Sequence, residues 1–424
     1  MRLIYNLLIP VAILAAKISG AFLPKMREAI DGRKGWKPRF REFDNRISPV
    51  WFHVASVGEY EQAKPVITAI GKHSPEIPVV ITFSSPSGFH FARRKELLDG
   101  SSNIVFVDYL PFDSVGNMKT CFELIRPRLL VLVKFDLWPN QIWCAHDSEV
   151  PVILIDATLS PTSKRLSGAG RRFYRSVYNA ITRILAISDE DAARFRDSLT
   201  AHAHISVAGD TRFDRVVERW RNRGDTGFVF PQSPANNDRV LIAGSTWPQD
   251  EVHLLPALGR ILKKEPRVRV IIAPHEPTAD HVEPLRAWAK TLDMPVATSS
   301  DSITEDTRVV IIDTVGILAE AYRFGDVAYI GGSFSTGVHS VIEPAIAGLP
   351  VVFGPTHQNS FEAVQLVEQA GGFTVADEAA MGDILHRLLV DEAFGSRAGT
   401  IACDYVTSEL GATEKCMEAI TEYL

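Results

Sequence analysis

The chain has 424 residues, of which 46% are hydrophobic and 23% charged, and its formal net charge is −6. This composition is typical of a globular protein of about two domains and excludes a disordered chain. The acidic balance gives no overall support for nucleic-acid binding. The four cysteines are widely scattered and form no Cys-x-x-Cys pair, which favours free, buried thiols in a reducing compartment.

The N-terminus begins with an apolar run at residues 3–23. About 20 apolar residues can span a bilayer, but Asn6, Pro10 and Lys17 interrupt this run. Residues 25–46 then hold eight Lys or Arg against four Asp or Glu. Basic residues behind an apolar helix favour a cytoplasmic position beside an anionic membrane surface. We therefore predict a membrane anchor, either single-pass or interfacial; a helix packed on the protein core is the alternative.

From residue 50 onwards, short apolar runs alternate with amphipathic stretches of helical length. Such alternation predicts parallel sheets with helices on both faces. The predicted strands of a first domain are residues 50–55, 79–83, 104–107, 129–133, 152–155, 184–187 and 205–208. Those of a second domain are residues 240–243, 268–273, 295–297, 309–312, 327–330, 351–353 and 373–375, and a long helical stretch follows residue 392.

The polar stretch at residues 219–238 is rich in Gly, Pro, Ser and Asn and is typical of a linker. It divides the chain into a membrane-anchor helix (1–24), an N-terminal Rossmann-like domain (25–218) and a C-terminal Rossmann-like domain (239–424). The predicted fold class is therefore α/β, with two Rossmann-like domains facing across a cleft. Doubly wound folds bind ligands at their strand ends, so this cleft is the expected ligand site.

In the first domain, residues 51–59 (WFHVASVGE) are typical of a buried strand followed by a tight turn and a helix start. Ser56 and Gly58 suit a loop whose backbone faces the cleft. Glu59 falls at the helix start, where the helix dipole favours its ionised form. By local pattern alone, Glu59 is best interpreted as a residue that complements the helix N-terminus.

Two further segments of the first domain carry charged residues beside turns. Asp136, in Lys-Phe-Asp-Leu-Trp-Pro-Asn (134–140), fits a helix cap and a site carboxylate equally well. Arg212, in Gly-Asp-Thr-Arg-Phe-Asp (209–214), is a candidate cation for a phosphate or a carboxylate, and a surface ion pair is the plain alternative.

The second domain contains the most informative segment, residues 331–359. Its paired glycines allow the backbone to approach a ligand closely. A helix N-terminus after such a turn suits a phosphate, and the Glu343 carboxylate can accept hydrogen bonds from ribose hydroxyls. Together these features predict a nucleotide site; an ordinary βαβ unit with Gly and Pro as turn residues is the alternative. Ser245 follows another strand and opens a helix, and His275 lies in a Pro-rich turn, where packing is its alternative role.

Residues 331–355 resemble the signature of glycosyltransferases with two Rossmann-like domains, in particular 3-deoxy-D-manno-octulosonic acid (Kdo) transferases. That pattern runs Gly-Gly-Ser, Gly-x-His-Asn-x-x-Glu-Pro-Ala, Gly-x-Pro-Val, Gly-Pro. Residues 53–59 carry the family's His-x-x-Ser-Val-Gly-Glu intact, and the resemblance extends from the N-terminal helix to about residue 360. The chain departs from the family at several positions. Ser340 replaces Asn and cannot both donate and accept as an amide does. Lys134 and Asp136 occupy the positions of Glu-Thr-Glu, and Pro274 replaces Arg.

The resemblance implies a membrane-associated enzyme at the cytoplasmic face of the inner membrane, in lipopolysaccharide inner-core biosynthesis. It would transfer Kdo from CMP-Kdo to a lipid A precursor with inversion, using no cofactor, metal or nucleic acid. Glu59 would be the general base, with Asp136 as a second carboxylate. The implied donor-binding residues are Ser245, His275, Gly332, Ser333, His339, Ser340 and Glu343. The implied acceptor or phosphate contacts are Ser56, Gly58 and Arg212.

In the resembled family the last helix crosses back onto the first domain, although the sequence itself does not show that crossing. Two other functions stay open at this stage. One is another nucleotide-sugar transferase or epimerase of the same architecture. The other is a non-catalytic, membrane-associated binding protein, which the intact Glu59 and Glu343 disfavour.

Overall fold

The computed structural model describes residues 1–43, 46–99, 103–198, 204–222, 228–231 and 238–424. The chain forms two compact units. The first comprises Met1–Arg215 together with Leu410–Leu424, and the second comprises Val216–Glu409.

The first unit is built around a parallel seven-stranded sheet in the order β3-β2-β1-β4-β5-β6-β7. Its strands are β1 (Val50–Val54), β2 (Val79–Phe83), β3 (Ile104–Tyr109), β4 (Leu129–Val133), β5 (Val152–Ala157), β6 (Arg183–Ala186) and β7 (His204–Val207). Its helices before the sheet are α1 (Arg2–Ser19), α2 (Pro24–Gly32) and α3 (Trp36–Arg41). The helices that follow are α4 (Val57–His73), α5 (Pro86–Asp99), α6 (Val115–Ile125), α7 (Pro139–Asp147), α8 (Gly168–Tyr178), α9 (Asp189–Ser198) and α10 (Thr211–Arg221).

The second unit has its own parallel seven-stranded sheet, in the order β10-β11-β9-β8-β12-β13-β14. Its strands are β8 (Arg239–Thr246), β9 (Val268–Pro274), β10 (Val296–Thr298), β11 (Val309–Ile311), β12 (Val327–Ile330), β13 (Val351–Phe353) and β14 (Gly372–Thr374). Its helices are α11 (Pro248–Lys264), α12 (Ala279–Lys290), α13 (Leu318–Ala321), α14 (Ile342–Ile346), α15 (Phe361–Glu368), α16 (Glu378–Val390) and α17 (Glu392–Ser408). The last helix of the chain, α18 (Ala412–Thr421), belongs to the first unit.

Both faces of the first sheet are buried, which explains why its strands are continuously apolar. Trp51 and Leu130 pack into the core on one face, while Phe52 and Val131 pack into the core on the other. Parallel sheets covered by helices on both sides require such runs. The prediction of two Rossmann-like α/β units is therefore confirmed.

The boundary between the two units differs from the predicted one. It falls at Arg215/Val216, inside α10, and this helix continues to Arg221. Residues 223–227 and 232–237, which hold most of the Gly, Pro and Asn of the predicted linker, lie outside the described residues.

Helix α1 is long and apolar enough to cross a membrane, with a mean hydropathy of 1.5, and its apolar window is not buried in the protein. Its exposed face carries large apolar side chains, among them Leu3, Leu7, Val11, Leu14 and Ile18. The spacing of three or four residues places these five side chains on one side of the helix. The exposed face is therefore a continuous apolar strip.

The first turn of α1 is docked on the first unit. The Tyr5 ring packs against Trp143 and Phe173, with centroids 5.8 and 5.7 Å away. Arg2 pairs with Asp147 at 2.9 Å. In the sequence, α1 simply precedes the first βα unit. In the structure, it makes specific contacts with α7 and α8.

Candidate functional site

The carboxyl end of β1 leads through a two-residue turn into α4 and so positions Glu59. Ser56 is the N-cap residue of α4, and its hydroxyl accepts the Glu59 N–H. The Glu59 Oε2 atom accepts the Ala55 N–H. Glu59 thus complements the helix start, as its local pattern predicts, yet only 5% of the residue is exposed. Gly58 is exposed, and a Cβ there would meet the Ser56 hydroxyl at an ordinary 3.8 Å.

The pKa of Glu59 is raised to about 7, mainly because the carboxyl is buried. The Ala55 N–H lowers this pKa, the charge of Asp136 raises it further, and the charge of Lys134 lowers it. A simple helix-start glutamate would have a low pKa, because the dipole favours its ionised form. A carboxyl with a pKa near 7 is instead suited to taking up a proton at neutral pH.

A chain of hydrogen bonds holds Asp136 in its ionised form. Trp51 Nε1 donates to Thr82 Oγ1 at 2.9 Å, and Thr82 Oγ1 lies 2.9 Å from His53 Nδ1. We assign the hydroxyl proton of Thr82 to the bond with Nδ1, because its oxygen already accepts the indole N–H. The proton of His53 is then on Nε2, which lies 3.2 Å from Asp136 Oδ2.

Asp136 also accepts the Ser84 hydroxyl at 2.9 Å and the Trp138 indole N–H at 3.1 Å. Burial raises the pKa of Asp136, but the hydrogen bonds from His53, Ser84 and Trp138 outweigh it, so the pKa lies below its usual value. The interpretation of Asp136 as a helix cap is wrong. The carboxylate bonds to side chains, and a different residue, Asp113, accepts the first N–H groups of α7.

Arg212 is engaged within its own segment. Its guanidinium pairs with Asp210 at 2.7 Å, which is the plain alternative to a ligand contact. Thr211 donates from its N–H and its hydroxyl to Asp156, and Asp214 accepts N–H groups from the start of α18. This segment therefore joins β5 to the last helix of the chain.

In the second unit, one buried aspartate holds the glycine-rich turn after β12. Asp250, in the first turn of α11, accepts the N–H of Gly332 at 2.8 Å and that of Phe334 at 3.3 Å. It also accepts the Tyr329 hydroxyl at 3.0 Å and the Trp247 N–H at 3.0 Å. A fully buried carboxylate with four donors is well satisfied, so Asp250 sets the shape of the turn.

The glycines of this turn are required by space and conformation. Gly332 has a φ of 90°, and a Cβ on Gly331 would lie 2.2 Å from the Ser245 carbonyl oxygen. The Ser333 hydroxyl accepts the Gly354 N–H at 2.6 Å and joins the turn to the end of β13. The Gly332 N–H and the Ser333 hydroxyl, both predicted to contact the donor, are thus engaged within the protein in this structure.

Three aromatic rings stack beside this turn. His275 stacks against both Trp247 and His339, with centroids 4.6 and 4.4 Å from theirs, and the centroids of these two rings are 6.4 Å apart. Trp247 Nε1 donates to His339 Nε2 at 2.8 Å, which places the His339 proton on Nδ1. Burial and the neighbouring His275 lower the pKa of His339, so this ring is kept neutral. His275 is therefore part of an aromatic stack at the strand ends and not an isolated histidine.

Glu343 lies in the first turn of α14, which begins at Ile342. Its carboxylate is partly exposed and lies 3.7 Å from Arg219. Ser340 is exposed just before this helix. Both side chains are therefore accessible to solvent at the end of the glycine-rich segment.

Seven of the described residues other than glycine have a positive φ, and three of them lie at the carboxyl end of a parallel strand. Lys134 follows β4 with a φ of 62°, Asp156 lies in β5 with a φ of 50°, and Ser245 lies in β8 with a φ of 54°. Such strain costs about 1–3 kcal/mol per residue and concentrates at functional sites. These three positions lie at the same strand ends as the candidate site residues.

The sequence interpretation missed several residues of these networks. In the first unit they are His53, Thr82, Ser84 and Trp138, and in the second unit Asp250. A signal for His53 was present, since a histidine within an apolar strand needs a polar partner. The parallel register places it opposite Thr82.

The fold, with two units that each contain a parallel seven-stranded sheet, is shared with proteins of known structure. UDP-GlcNAc 2-epimerase from Neisseria meningitidis, solved with UDP-GlcNAc bound, aligns with a TM-score of 0.62 over 88% of this chain and 100% of that chain. At 15% identity this likeness shows the fold alone.

Comparison with known sequences finds similarity to one family. The profile for 3-deoxy-D-manno-octulosonic-acid transferase (kdotransferase) matches residues 33–215. The 3-deoxy-D-manno-octulosonic acid transferase of Bordetella pertussis is 27% identical over 89% of this chain and 88% of its own length. That of Haemophilus influenzae is 24% identical over 95% of this chain and 92% of its own length. The chain therefore carries a Kdo transferase domain at residues 33–215 and is similar over most of its length to Kdo transferases, which are glycosyltransferases.

Proposed function

We propose that the protein transfers Kdo from CMP-Kdo to a lipid A precursor, with Glu59 as the general base. The observation that carries the proposal is the raised pKa of Glu59, about 7, beside the ionised Asp136 in a chain similar to Kdo transferases. An ideal general base has a pKa near the working pH. Glu59 Oε2 is held by the Ala55 N–H, which leaves Oε1 to receive the proton.

The reaction is an inverting displacement. The acceptor hydroxyl oxygen attacks the anomeric carbon of Kdo as Glu59 takes the hydroxyl proton. The bond from that carbon to the phosphate oxygen breaks, and CMP leaves with the electron pair. Asp136 stays ionised and disfavours a second negative charge nearby, so it strengthens Glu59 as a proton acceptor.

The donor is proposed to bind at the glycine-rich turn of the second unit. The partly exposed Glu343 carboxylate would accept hydrogen bonds from the ribose hydroxyls, and Ser340 would donate to the phosphate. Ser245, His275 and His339 would line the same site. Gly332 and Ser333 would act through the shape of the turn, since their polar groups are already bonded within the protein. On the acceptor side, Ser56 and Gly58 would border Glu59, and Arg212 would reach a phosphate only by leaving Asp210.

The test of this function is direct. The purified full-length protein is incubated with a CMP-Kdo generating system and tetra-acylated lipid A precursor, and the lipid product is weighed by mass spectrometry. We expect a mass increase of whole Kdo units. An unchanged lipid, with CMP-Kdo intact, would exclude this donor–acceptor pair.

We further propose that α1 lies in the membrane interface at the cytoplasmic face of the inner membrane. Its first turn is fixed to the first unit by the Arg2–Asp147 pair. Its C-terminal end is fixed by Arg27, which donates to the Gly20 and Ala21 carbonyls. A spanning helix would need its two ends on opposite sides of a hydrocarbon core about 30 Å thick. The strip of exposed apolar residues from Leu3 to Ile18 instead favours insertion of one face.

A protease-accessibility experiment distinguishes the two arrangements. A cleavable tag before Met1 should be removed by protease added to the cytoplasmic side of inverted vesicles. Protection of the tag on that side would show that α1 spans the bilayer. Removal of residues 1–24 should in either case reduce membrane binding.

A further inference from the structure

Helix α1 is joined to α7 through one buried carboxylate. The Tyr5 hydroxyl donates to Asp113 Oδ2 at 2.8 Å. The same oxygen accepts the backbone N–H of Asn140 at 2.9 Å, and Oδ1 accepts that of Gln141 at 2.9 Å. Tyr5 lies in the first turn of α1, whereas Asn140 and Gln141 lie in the first turn of α7. Asp113, in the loop before α6, thus connects the two helices.

Asp113 replaces the N-cap side chain that α7 lacks. The residue at the N-cap position is Trp138, which makes no capping hydrogen bond, and Pro139 follows it. The first N–H groups of a helix need an acceptor, and a carboxylate there is also favoured by the helix dipole. Asn140 additionally donates from its side chain to the Asp113 carbonyl at 2.7 Å. Asp113 therefore determines where α7 begins.

The start of α7 is continuous with the hydrogen-bond network around Asp136. The Trp138 indole donates to Asp136 Oδ2 and to Ser84 Oγ, each at 3.1 Å. Burial raises the pKa of Asp113 to about 7, and the charge of Asp136 adds to this rise. A displacement of the α7 N-terminus would consequently move Trp138 and Asp136.

We propose that Tyr5 and Asp113 are positioning residues for the transfer reaction, which hold the start of α7 and thereby keep Asp136 in place beside Glu59. The proposal rests on the proposed function, in which these two carboxylates serve the chemistry. It gives the anchor helix a second role. The helix that carries the exposed apolar strip also supports the catalytic geometry through a single hydroxyl.

The critical variant is Tyr5→Phe, which removes the hydroxyl but keeps the ring that packs on Trp143 and Phe173. The matched control is Arg2→Gln, which breaks the Arg2–Asp147 pair on the same turn of α1 and leaves Asp113 untouched. Both are studied as full-length proteins in phospholipid–detergent micelles. Asp113→Asn is a second variant, because its amide cannot accept both N–H groups of α7.

The first measurement, amide hydrogen exchange of the peptide covering residues 136–141, does not depend on activity. We expect faster exchange in Tyr5→Phe and in Asp113→Asn, and wild-type exchange in Arg2→Gln. The second measurement compares kcat with the Kd for CMP. We expect kcat to fall roughly 10- to 100-fold, as small displacements of reacting groups do, with the Kd for CMP unchanged.

The outcomes separate the two proposals. Unchanged exchange in Tyr5→Phe would overturn the coupling, whether or not the wild-type protein transfers Kdo. Faster exchange and a lower melting temperature with kcat within twofold of wild type would show a structural role only and overturn the positioning role. Absence of Kdo transfer by wild type, in contrast, would count against the proposed function, and the exchange data would still decide the coupling.

Discussion

The two units use the carboxyl ends of their parallel strands differently. In the first unit, charged side chains are removed from water, and the pKa of Glu59 rises to about 7 as a result. In the second unit, the buried Asp250 binds backbone N–H groups and fixes a turn, while the partly exposed Glu343 stays accessible. Burial of a carboxyl beside another charge prepares it for proton transfer. A rigid turn with accessible polar groups is suited to recognition, so the proposed function places chemistry in the first unit and donor affinity in the second.

Glu59→Gln should have the largest effect, since it removes the proposed proton acceptor of the first unit. We expect kcat to fall by roughly 10²–10⁴, with donor affinity nearly unchanged. The measurement is single-turnover transfer at saturating donor and acceptor. The control is Glu61→Gln on the same helix, whose carboxylate pairs with Arg215. Transfer within tenfold of wild type would mean that Glu59 only complements the helix start.

Glu343→Ala should have the next largest effect, which is a loss of affinity for the donor. The loss of a hydrogen bond to a charged group costs roughly 1.5–3 kcal/mol, which is roughly 10- to 150-fold in donor Kd. Saturating CMP-Kdo should restore most of the rate, because a ribose contact is made alike in ground state and transition state.

The ribose assignment can be separated from the Arg219 ion pair by ligand choice. Wild type should prefer CMP over 2′-deoxy-CMP, and Glu343→Ala should lose this preference. Arg219→Gln, the matched control, should keep it. A preference that survives in Glu343→Ala would exclude the ribose contact.

Asp250→Asn should affect both stability and recognition in the second unit. In this variant the amide nitrogen, which is a donor, would face backbone N–H groups that bond to the carboxylate in the wild-type protein. The turn should therefore loosen. We expect a lower melting temperature and donor affinity reduced about tenfold, in keeping with a lost hydrogen bond to a charged group. Asp377→Ala, which removes the N-cap side chain of α16, should lower stability alone. If both variants weaken CMP binding equally, the turn has no specific dependence on Asp250.

The smallest expected effect is on the pH dependence of transfer and of stability, which the raised pKa of Glu59 should produce. Transfer should increase with pH up to about 7, as Glu59 ionises. Stability should change in the opposite direction. A carboxyl whose pKa is raised on folding stabilises the protein below its unfolded pKa, and this contribution is lost as pH rises towards 7. The difference between wild type and Glu59→Gln in unfolding free energy should thus vary between about pH 4.5 and 7. A difference that is constant across this range would contradict the raised pKa.

Much of the fold was predictable because both faces of each sheet are buried. The apolar runs at residues 79–83 and 129–133 coincide with β2 and β4. The strand ends were harder to predict. β8 extends to Thr246 because the left-handed Ser245 forms a bulge and pairing with β9 resumes beyond it.

The site was predictable only where its residues are close in sequence. Glu59 and Glu343 lie in local motifs, so a strand-to-helix pattern locates them. Asp250 acts on a turn 82 residues away, and Tyr5 bonds to a residue 108 positions away. Such partners depend on the packing of whole helices, which local periodicity does not report.

The last helix has a consequence for the order in which the protein folds. Cys416, Ala419 and Ile420 of α18 are part of the hydrophobic core of the first unit, and Asp214 binds the N–H groups at the start of that helix. This core is therefore incomplete until residues 410–424 have left the ribosome. The N-terminal unit, although synthesised first, would be finished last, and the second unit can complete its own core before it. A fragment ending at residue 215 would lack helix α18 and its side chains in that core. Co-expression with a peptide covering residues 410–424 would supply this helix as a separate chain.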